Sequence, residues 1–329
     1  MIKKTLVGLM TVLLAVILAA GCGGGSGGSS GSGSKGEPTA KPKFPPRETT
    51  STRPVETFKI GDREGKVYAL ANFESKSYAR GSKIVVMGKS IYYHGKTPGT
   101  GKTQLVKVDY DKETLSPPVA VGESYDRGLH ILATNGKVVA YETGKGNRGF
   151  YDGKKAVEGK KFQEGAMAGG EKGGPFYMVH GVAAILTGTF SGGDFTQQKE
   201  IIKDYRRAPL RLQGAVVPVF ADEKGFYLAV DEKKSGAHEG EPTLIYLDRG
   251  GKEIRRFTGI EELPRGWVVT ANYVIHAASK GAFRIFDRAT GAMVTELKLN
   301  MRPFDVALVK GNDVLVYDDR AKKLYRVDF

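Results

Sequence analysis

From residue 83 onward, short apolar runs alternate with clusters of Gly, Asp and Lys, and no long stretch repeats its apolar positions at helical spacing. The runs Ile84-Val85-Val86-Met87, Val138-Val139-Ala140-Tyr141, Ala215-Val216-Val217, Trp267-Val268-Val269 and Val314-Leu315-Val316-Tyr317 are rich in β-branched and aromatic residues. Such side chains suit a pleated, packed surface, so each run predicts a strand and the domain is expected to be all-β.

The strands repeat. A strand ending at an Asp recurs as Val108-Asp109, Tyr151-Asp152, Lys203-Asp204, Leu247-Asp248, Phe286-Asp287 and Val327-Asp328, with spacings of 43, 52, 44, 39 and 41 residues. The third copy is the poorest match. A period of this length with about four strands per repeat predicts a β-propeller of six blades. Seven blades, the alternative, would need another full repeat near residues 55–82, where only about two strands fit. The best-formed blade reads as strands over 266–272, 273–279, 282–287 and 292–299, with the turn Arg288-Ala289-Thr290-Gly291 before the last.

Asp328 is followed only by Phe329, so the sixth blade lacks its outer strand and would expose an unpaired edge. The strand-like segments at 55–60 and 66–71 are otherwise unassigned, and one of them is expected to fill that place.

The turn Asp287-Arg288-Ala289-Thr290-Gly291 resembles the aspartate-x-x-threonine-glycine element of quinoprotein-like propeller repeats, a relative of the WD-repeat pattern, and Asp248-Arg249-Gly250-Gly251 matches it in part. The resemblance implies a fold and no chemistry. Quinone enzymes of that family place a vicinal cysteine pair and tryptophans at the cofactor, whereas this chain has one Cys and one Trp. No cofactor is expected.

At the N-terminus, Lys3 and Lys4 precede an uncharged apolar run over 6–20, short for a membrane span and suited to a signal-peptide core. It ends in Leu18-Ala19-Ala20-Gly21-Cys22. This resembles the lipobox of bacterial lipoproteins, except that Ala19 stands where an aliphatic residue is usual and Leu18 lies one position earlier. The resemblance implies cleavage before Cys22 and diacylation of its sulfur. Cys22 is also the single cysteine, which excludes an intramolecular disulfide, a cysteine-ligated zinc site and a thiol pair. Residues 23–34 are only Gly and Ser, and a Lys/Pro/Thr-rich stretch follows to about Arg53. Neither segment has the apolar surface to offset the entropy of ordering. The organisation expected is a signal peptide at 1–21, a flexible tether at 22–54 reaching about 30 Å from the anchor, and a propeller at 55–329. With Gly23 rather than Asp after the cysteine, the sorting rule for two-membrane bacteria favours the outer membrane. In architecture this resembles, with fewer blades, the propeller lipoproteins of outer-membrane protein assembly.

The formal net charge is +14, which raises the question of an anionic partner. Within the propeller, the surplus falls on four predicted outer strands, at 154–161, 205–211, 252–258 and 292–302. There Lys and Arg block edge-to-edge pairing, so edge protection is the first explanation and an anionic lipid or polymer the second. Export disfavours nucleic acid. Gly99-Thr100-Gly101-Lys102-Thr103 lacks the first Gly of a phosphate loop and leads into a strand rather than a helix, so no nucleotide is expected.

The longest predicted loops, at 94–104, 187–200 and 231–242, are placed by strand alternation on one face of the disc. His94, Lys102, Phe190, Phe195, Asp231 and His238 on these loops are the candidate binding face. Asp231, Glu232, His238, Glu239 and Glu241 carry metal-ligand chemistry in one loop, but a solvated polar loop is the better explanation of them, and no metal is expected. His94, His180 and His276 fall near the ends of second strands, as repetition alone requires. The function expected is a binding or scaffolding module held on the membrane through its lipid, with an envelope protein or glycan as partner. The rival is a propeller hydrolase or lyase acting on envelope polysaccharide, though no nucleophile motif or catalytic residue stands out.

Overall fold

The N-terminal strands β1 (Glu56–Ile60) and β2 (Arg63–Leu70) precede a run of short antiparallel strands grouped in fours. In the computed structural model the described residues are 53–70, 83–96, 102–110, 115–124, 132–161, 165–191, 194–232, 241–258, 264–278 and 281–329, all within the compact unit Glu48–Phe329. Blade 1 is β3 (Val85–Met87), β4 (Ser90–Lys96), β5 (Thr103–Asp109) and β6 (Val119–Glu123). Blade 2 is β7 (Ala133–Thr134), β8 (Val139–Glu142), β9 (Asn147–Tyr151) and β10 (Ala156–Lys161). Blade 3 is β11 (Met167–Gly169), β12 (Phe176–His180), β13 (Ala184–Ser191) and β14 (Asp194–Ile202). Blade 4 is β15 (Val216–Ala221), β16 (Gly225–Glu232), β17 (Glu241–Asp248) and β18 (Glu253–Phe257). Blade 5 is β19 (Pro264–Val269), β20 (Tyr273–Ala278), β21 (Ala282–Asp287) and β22 (Met293–Lys298). Blade 6 is β23 (Pro303–Lys310), β24 (Asp313–Asp318) and β25 (Lys323–Asp328), completed by β2 and then β1.

Each first strand touches the first strands on both sides, and β23 of blade 6 returns to β3 of blade 1. The ring is therefore a closed, six-bladed β-propeller. One apolar cluster fills each of the six interfaces between blades, such as Met87, Tyr92 and Leu105 against Leu132, Val139 and Tyr141 between blades 1 and 2. A blade packed on both faces needs apolar side chains on both faces of its second strand. Accordingly β4, β20 and β24 are buried along almost their whole length. That is why the sequence shows continuous apolar runs there rather than alternation.

The N-terminal hairpin supplies the missing edge. β2 pairs antiparallel with β25, setting Val67 opposite Val327, and β1 adds a fifth strand beyond it. Phe329, the last residue, is fully buried, its ring 5.6 Å from Phe58 of β1 and 5.8 Å from Phe283 of blade 5. Gly65 lies directly beneath the Phe58 ring, where a Cβ would come within 2.2 Å of it. Arg63 pairs with Asp328 at 2.6 Å and the Arg326 guanidinium stacks 4.2 Å from the Tyr68 ring centroid, fastening the two chain ends to each other.

Blade 3 departs from expectation. Its outer strand is β14, not residues 205–211, and Asp204 follows a fourth strand instead of closing a third. The physical reason is a long hairpin: β13 and β14 pair from Ile185↔Ile202 out to Ser191↔Asp194. This moves the third Asp copy one strand later and produces the spacing of 52.

Deleting residues 53–70 should leave the edge of β25 bare and uncover Val327 and Phe329, lowering the melting temperature of the whole ring by 10 °C or more, on the order of several kcal/mol of lost burial. Deleting residues 23–34 should leave it unchanged. Thermal unfolding of the two truncations makes the comparison, and equal melting temperatures would show that the ring closes without the hairpin.

Candidate binding surfaces

In an antiparallel blade, the second-to-third connections and the links to the next blade emerge on one side, and the other turns on the opposite side. The first predicted loop is shorter than expected, because β4 runs to Lys96 and β5 begins at Thr103, with Gly95 opposite Gln104. His94 therefore sits inside a strand. It is fully buried, and its Nδ1 hydrogen-bonds the Ser124 hydroxyl. Lys102 is exposed at the foot of β5. The third loop also shortens: Asp231 and Glu232 belong to β16 and pair with Pro242 and Glu241 of β17. His238 lies outside the described residues. The ends of β4 and β16 and the starts of β5 and β17, which flank the first and third connections, lie on the same side of the ring. Residues 187–200 do not join them, because they form the β13–β14 hairpin, whose turn faces the opposite side. Phe190 and Phe195 face each other across it, with Phe190 5.4 Å from Phe150 and 5.3 Å from Phe176. Their rings pack blade 3 against blade 2. His180 and His276 stand in second strands, and the His276 ring lies 4.7 Å from Trp267.

Four of the six recurring Asp residues, Asp152, Asp204, Asp248 and Asp287, act as turn caps, whereas Asp109 accepts from the Ser90 hydroxyl and Asp328 pairs with Arg63. Asp152 Oδ1 accepts hydrogen bonds from the backbone N–H groups of Lys154 and Lys155, and Asp248 Oδ1 from those of Gly250 and Lys252. Asp287 accepts from the Thr290 hydroxyl at 2.7 Å and the Thr290 N–H at 2.6 Å, and these bonds hold its carboxyl below the ordinary range. Next to it, Arg288 reaches from blade 5 into blade 4. It donates to Asp222 at 2.6 Å, to the Tyr227 hydroxyl at 3.1 Å and to the Thr270 carbonyl at 2.7 Å. The Tyr246 hydroxyl donates to the same Asp222, and the Tyr227 and Tyr246 rings stack at 4.2 Å. Burial and the Asp222 carboxylate push the Tyr246 phenol well up, keeping it a donor. The cluster is an inter-blade clasp in which each of the three Arg288 side-chain nitrogens donates a hydrogen bond.

The rim between blades 3 and 4 is different. The connection after β14 is pinned by buried Tyr205, whose N–H bonds the Ala183 carbonyl at 3.0 Å, and by buried Leu212, whose N–H bonds the Tyr205 carbonyl at 2.9 Å. Between these anchors the chain loops outward and forms a groove of about 370 Å3 with the β17–β18 turn. Ile201, Ile202, Pro209 and Leu210 give it apolar lining, and Lys203, Arg207 and Lys252 stand along it. Gly251 has φ +85°, and a Cβ there would come within 2.8 Å of Ile202, so only glycine lets the turn approach β14 this closely. The sequence signal for this site is the Arg206-Arg207-Ala208-Pro209 run, which lies within the segment 205–211 that the repeat pattern predicts as an outer strand.

A scan of protein-family models finds no match, and a search of curated proteins finds none either. Among solved structures, the chain is similar to "The crystal structure of BamB from Moraxella catarrhalis", at 10% sequence identity and a TM-score of 0.45, over 80% of this chain and 98% of that one. At this identity the likeness concerns the fold alone.

Arg288→Met should cost about 2–3 kcal/mol, because it takes the one cationic partner from the largely buried Asp222 carboxylate, leaving it neutral donors alone, and removes the bond to Thr270. Arg288→Lys should recover little of it, since an ammonium cannot reach all three acceptors. Urea unfolding measures both variants. A loss under about 0.5 kcal/mol would show that the clasp is solvated and carries no stability.

Proposed function

We propose that this chain is a lipid-anchored protein of the bacterial envelope, whose propeller binds and positions another envelope component, a protein or a glycan. The observation that carries this reading is where the chain enters the ring. The first described residue, Arg53, leads straight into β1, the outermost strand of blade 6. The chain therefore joins the ring at the rim of a blade and not at one of its central strands. The lipobox-like Leu18-Ala19-Ala20-Gly21-Cys22 and the Gly/Ser segment after it supply the anchor and the spacer. Diacylation matters because two acyl chains hold a protein on a membrane where one binds marginally. In a two-membrane organism, Gly23 directs the protein to the outer membrane. The partner-binding face is the side bearing the connections at 97–102 and 233–240, with Lys102, Asp231 and His238 at or beside them.

Mass spectrometry of the membrane-extracted protein should find Cys22 as the first residue, carrying a diacylglycerol adduct, and Cys22→Ala should appear in the soluble fraction. A mature protein that begins elsewhere, or a Cys22→Ala variant that stays with the membrane, contradicts the anchor.

Replacing residues 233–240 by a short Gly-Ser turn should leave the melting temperature unchanged while abolishing crosslinking of an envelope partner through a photoreactive group at Lys102. Undiminished crosslinking would place the partner elsewhere on the ring.

A further inference from the structure

The basic residues of this propeller do not all serve one purpose. Arg255 and Arg256 on β18 and Lys298 on β22 lie on outer strands, where charge guards a bare edge. Several also have internal partners: Arg256 pairs with Glu253 at 2.9 Å and Arg255 donates to the Arg288 carbonyl at 2.7 Å. Edge protection cannot explain Lys203, Arg206, Arg207 and Arg211, because residues 203–211 are a link between blades and not an outer strand. The link is also held in a demanding shape. Arg211 has φ 53°, its N–H bonds the Arg207 carbonyl at 2.9 Å, and Asp204 accepts Arg206 on both carboxylate oxygens.

Asp204 neutralises only part of this charge. Its one carboxylate is shared between Arg206 and Arg207, and the Arg207 side chain remains 84% exposed. Lys203 and Lys252 are exposed, and their ammonium groups have no carboxylate partner among the described residues. These cations border the groove whose lining is Ile201, Ile202, Pro209 and Leu210. Its volume, about 370 Å3, is at the small end of sites that enclose a ligand group.

We propose that this rim groove docks an acidic, aliphatic segment of a partner protein, an aliphatic side chain entering the groove while flanking carboxylates meet Lys203, Arg207 and Lys252. Charge complementarity selects this occupant. The chain's own N-terminal stretch is excluded because residues 35–52 carry Lys35, Lys41, Lys43 and Arg47 against Glu37 and Glu48. A second copy would bring another basic surface to a basic groove. An anionic membrane suits a broad outward-facing basic patch, whereas here the cations border a recess with apolar walls, which phosphate headgroups alone do not fill. An extended peptide supplies both chemistries, because its side chains recur every few ångströms along the backbone. The proposal adds a site at the rim to the face described above and does not depend on the lipid anchor.

The test uses the full mature chain and two probes. One is a fluorescein-labelled synthetic peptide in which Leu residues are flanked by Glu, with its Glu→Gln counterpart, read by anisotropy. The other is a set of phosphatidylglycerol/phosphatidylcholine vesicles, read by co-sedimentation. The Glu peptide should bind, and the Gln peptide should bind about tenfold more weakly. Lys203→Gln with Lys252→Gln should weaken the Glu peptide about tenfold and flatten its salt dependence. Ala208→Trp should obstruct the groove and abolish binding, and Lys154→Gln with Lys155→Gln, on blade 2, should change nothing. The lysine variants are surface changes, so the result stands even where Ala208→Trp lowers folding yield. The proposal is overturned by absence of peptide binding, by equal losses in the blade 2 control, or by vesicle binding that alone responds to Lys203→Gln and Lys252→Gln.

Discussion

A ring of packed sheets has one weak place, the blade in which the two ends of the chain meet. Every other interface joins blades that are each a single run of four strands, held by covalent turns and by an apolar cluster on each side. Blade 6 has three strands from the C-terminus and must borrow the rest from residues separated by most of the sequence. The borrowed hairpin brings Val67 and Ile60 into the same apolar cluster as Val327 and Phe329, and Leu70 into the cluster that joins blade 6 to blade 1. Two of the six inter-blade cores therefore depend on the pairing of β2 with β25. The closed ring in turn fixes where each connection and turn projects, and so fixes the surfaces on which a partner can act.

Much of this architecture was legible in the sequence, for a physical reason. A blade buried on both faces leaves continuous apolar runs, and an Asp closing the third strand, which caps the next turn at Asp152, Asp248 and Asp287, marks five of the six repeats. Asp109, Asp152, Asp248, Asp287 and Asp328 all end or directly follow third strands. Blade 3 was misread because its hairpin is long and its Asp204 caps a different turn. Spacing cannot tell a long hairpin from a loop when the strand residues, such as Thr196, Gln197 and Gln198, are polar. The same error made Phe190 and Phe195 look like loop anchors, although their rings pack between blades 2 and 3.

The surface was less legible than the core, because side-chain chemistry there depends on which neighbours the fold supplies. His94 has the composition of a site residue, and the fold buries it against Ser124. Arg288 sits in a repeat motif, yet its guanidinium clasps two blades through Asp222 and Tyr227. Conversely, Lys203 and Lys252 lie nearly fifty residues apart and belong to no motif, and only the packing of β14 against the Gly250-Gly251 turn brings them to one groove. A net charge is a property of the sequence, but whether a given cation guards an edge, pairs internally or waits for a partner is a property of the fold.

The claim on which the rest depends is that the N-terminal hairpin is an integral part of the ring. Native-state hydrogen exchange tests it most directly, because an amide in an integral strand opens only with the global unfolding of the domain, whereas an appended strand opens on its own. The account predicts that the hydrogen-bonded amides of β2 and β25 exchange with the same free energy as those of the inner strand β19, and respond identically to added denaturant. Exchange of β2 at a much lower free energy, with β19 still protected, would contradict it.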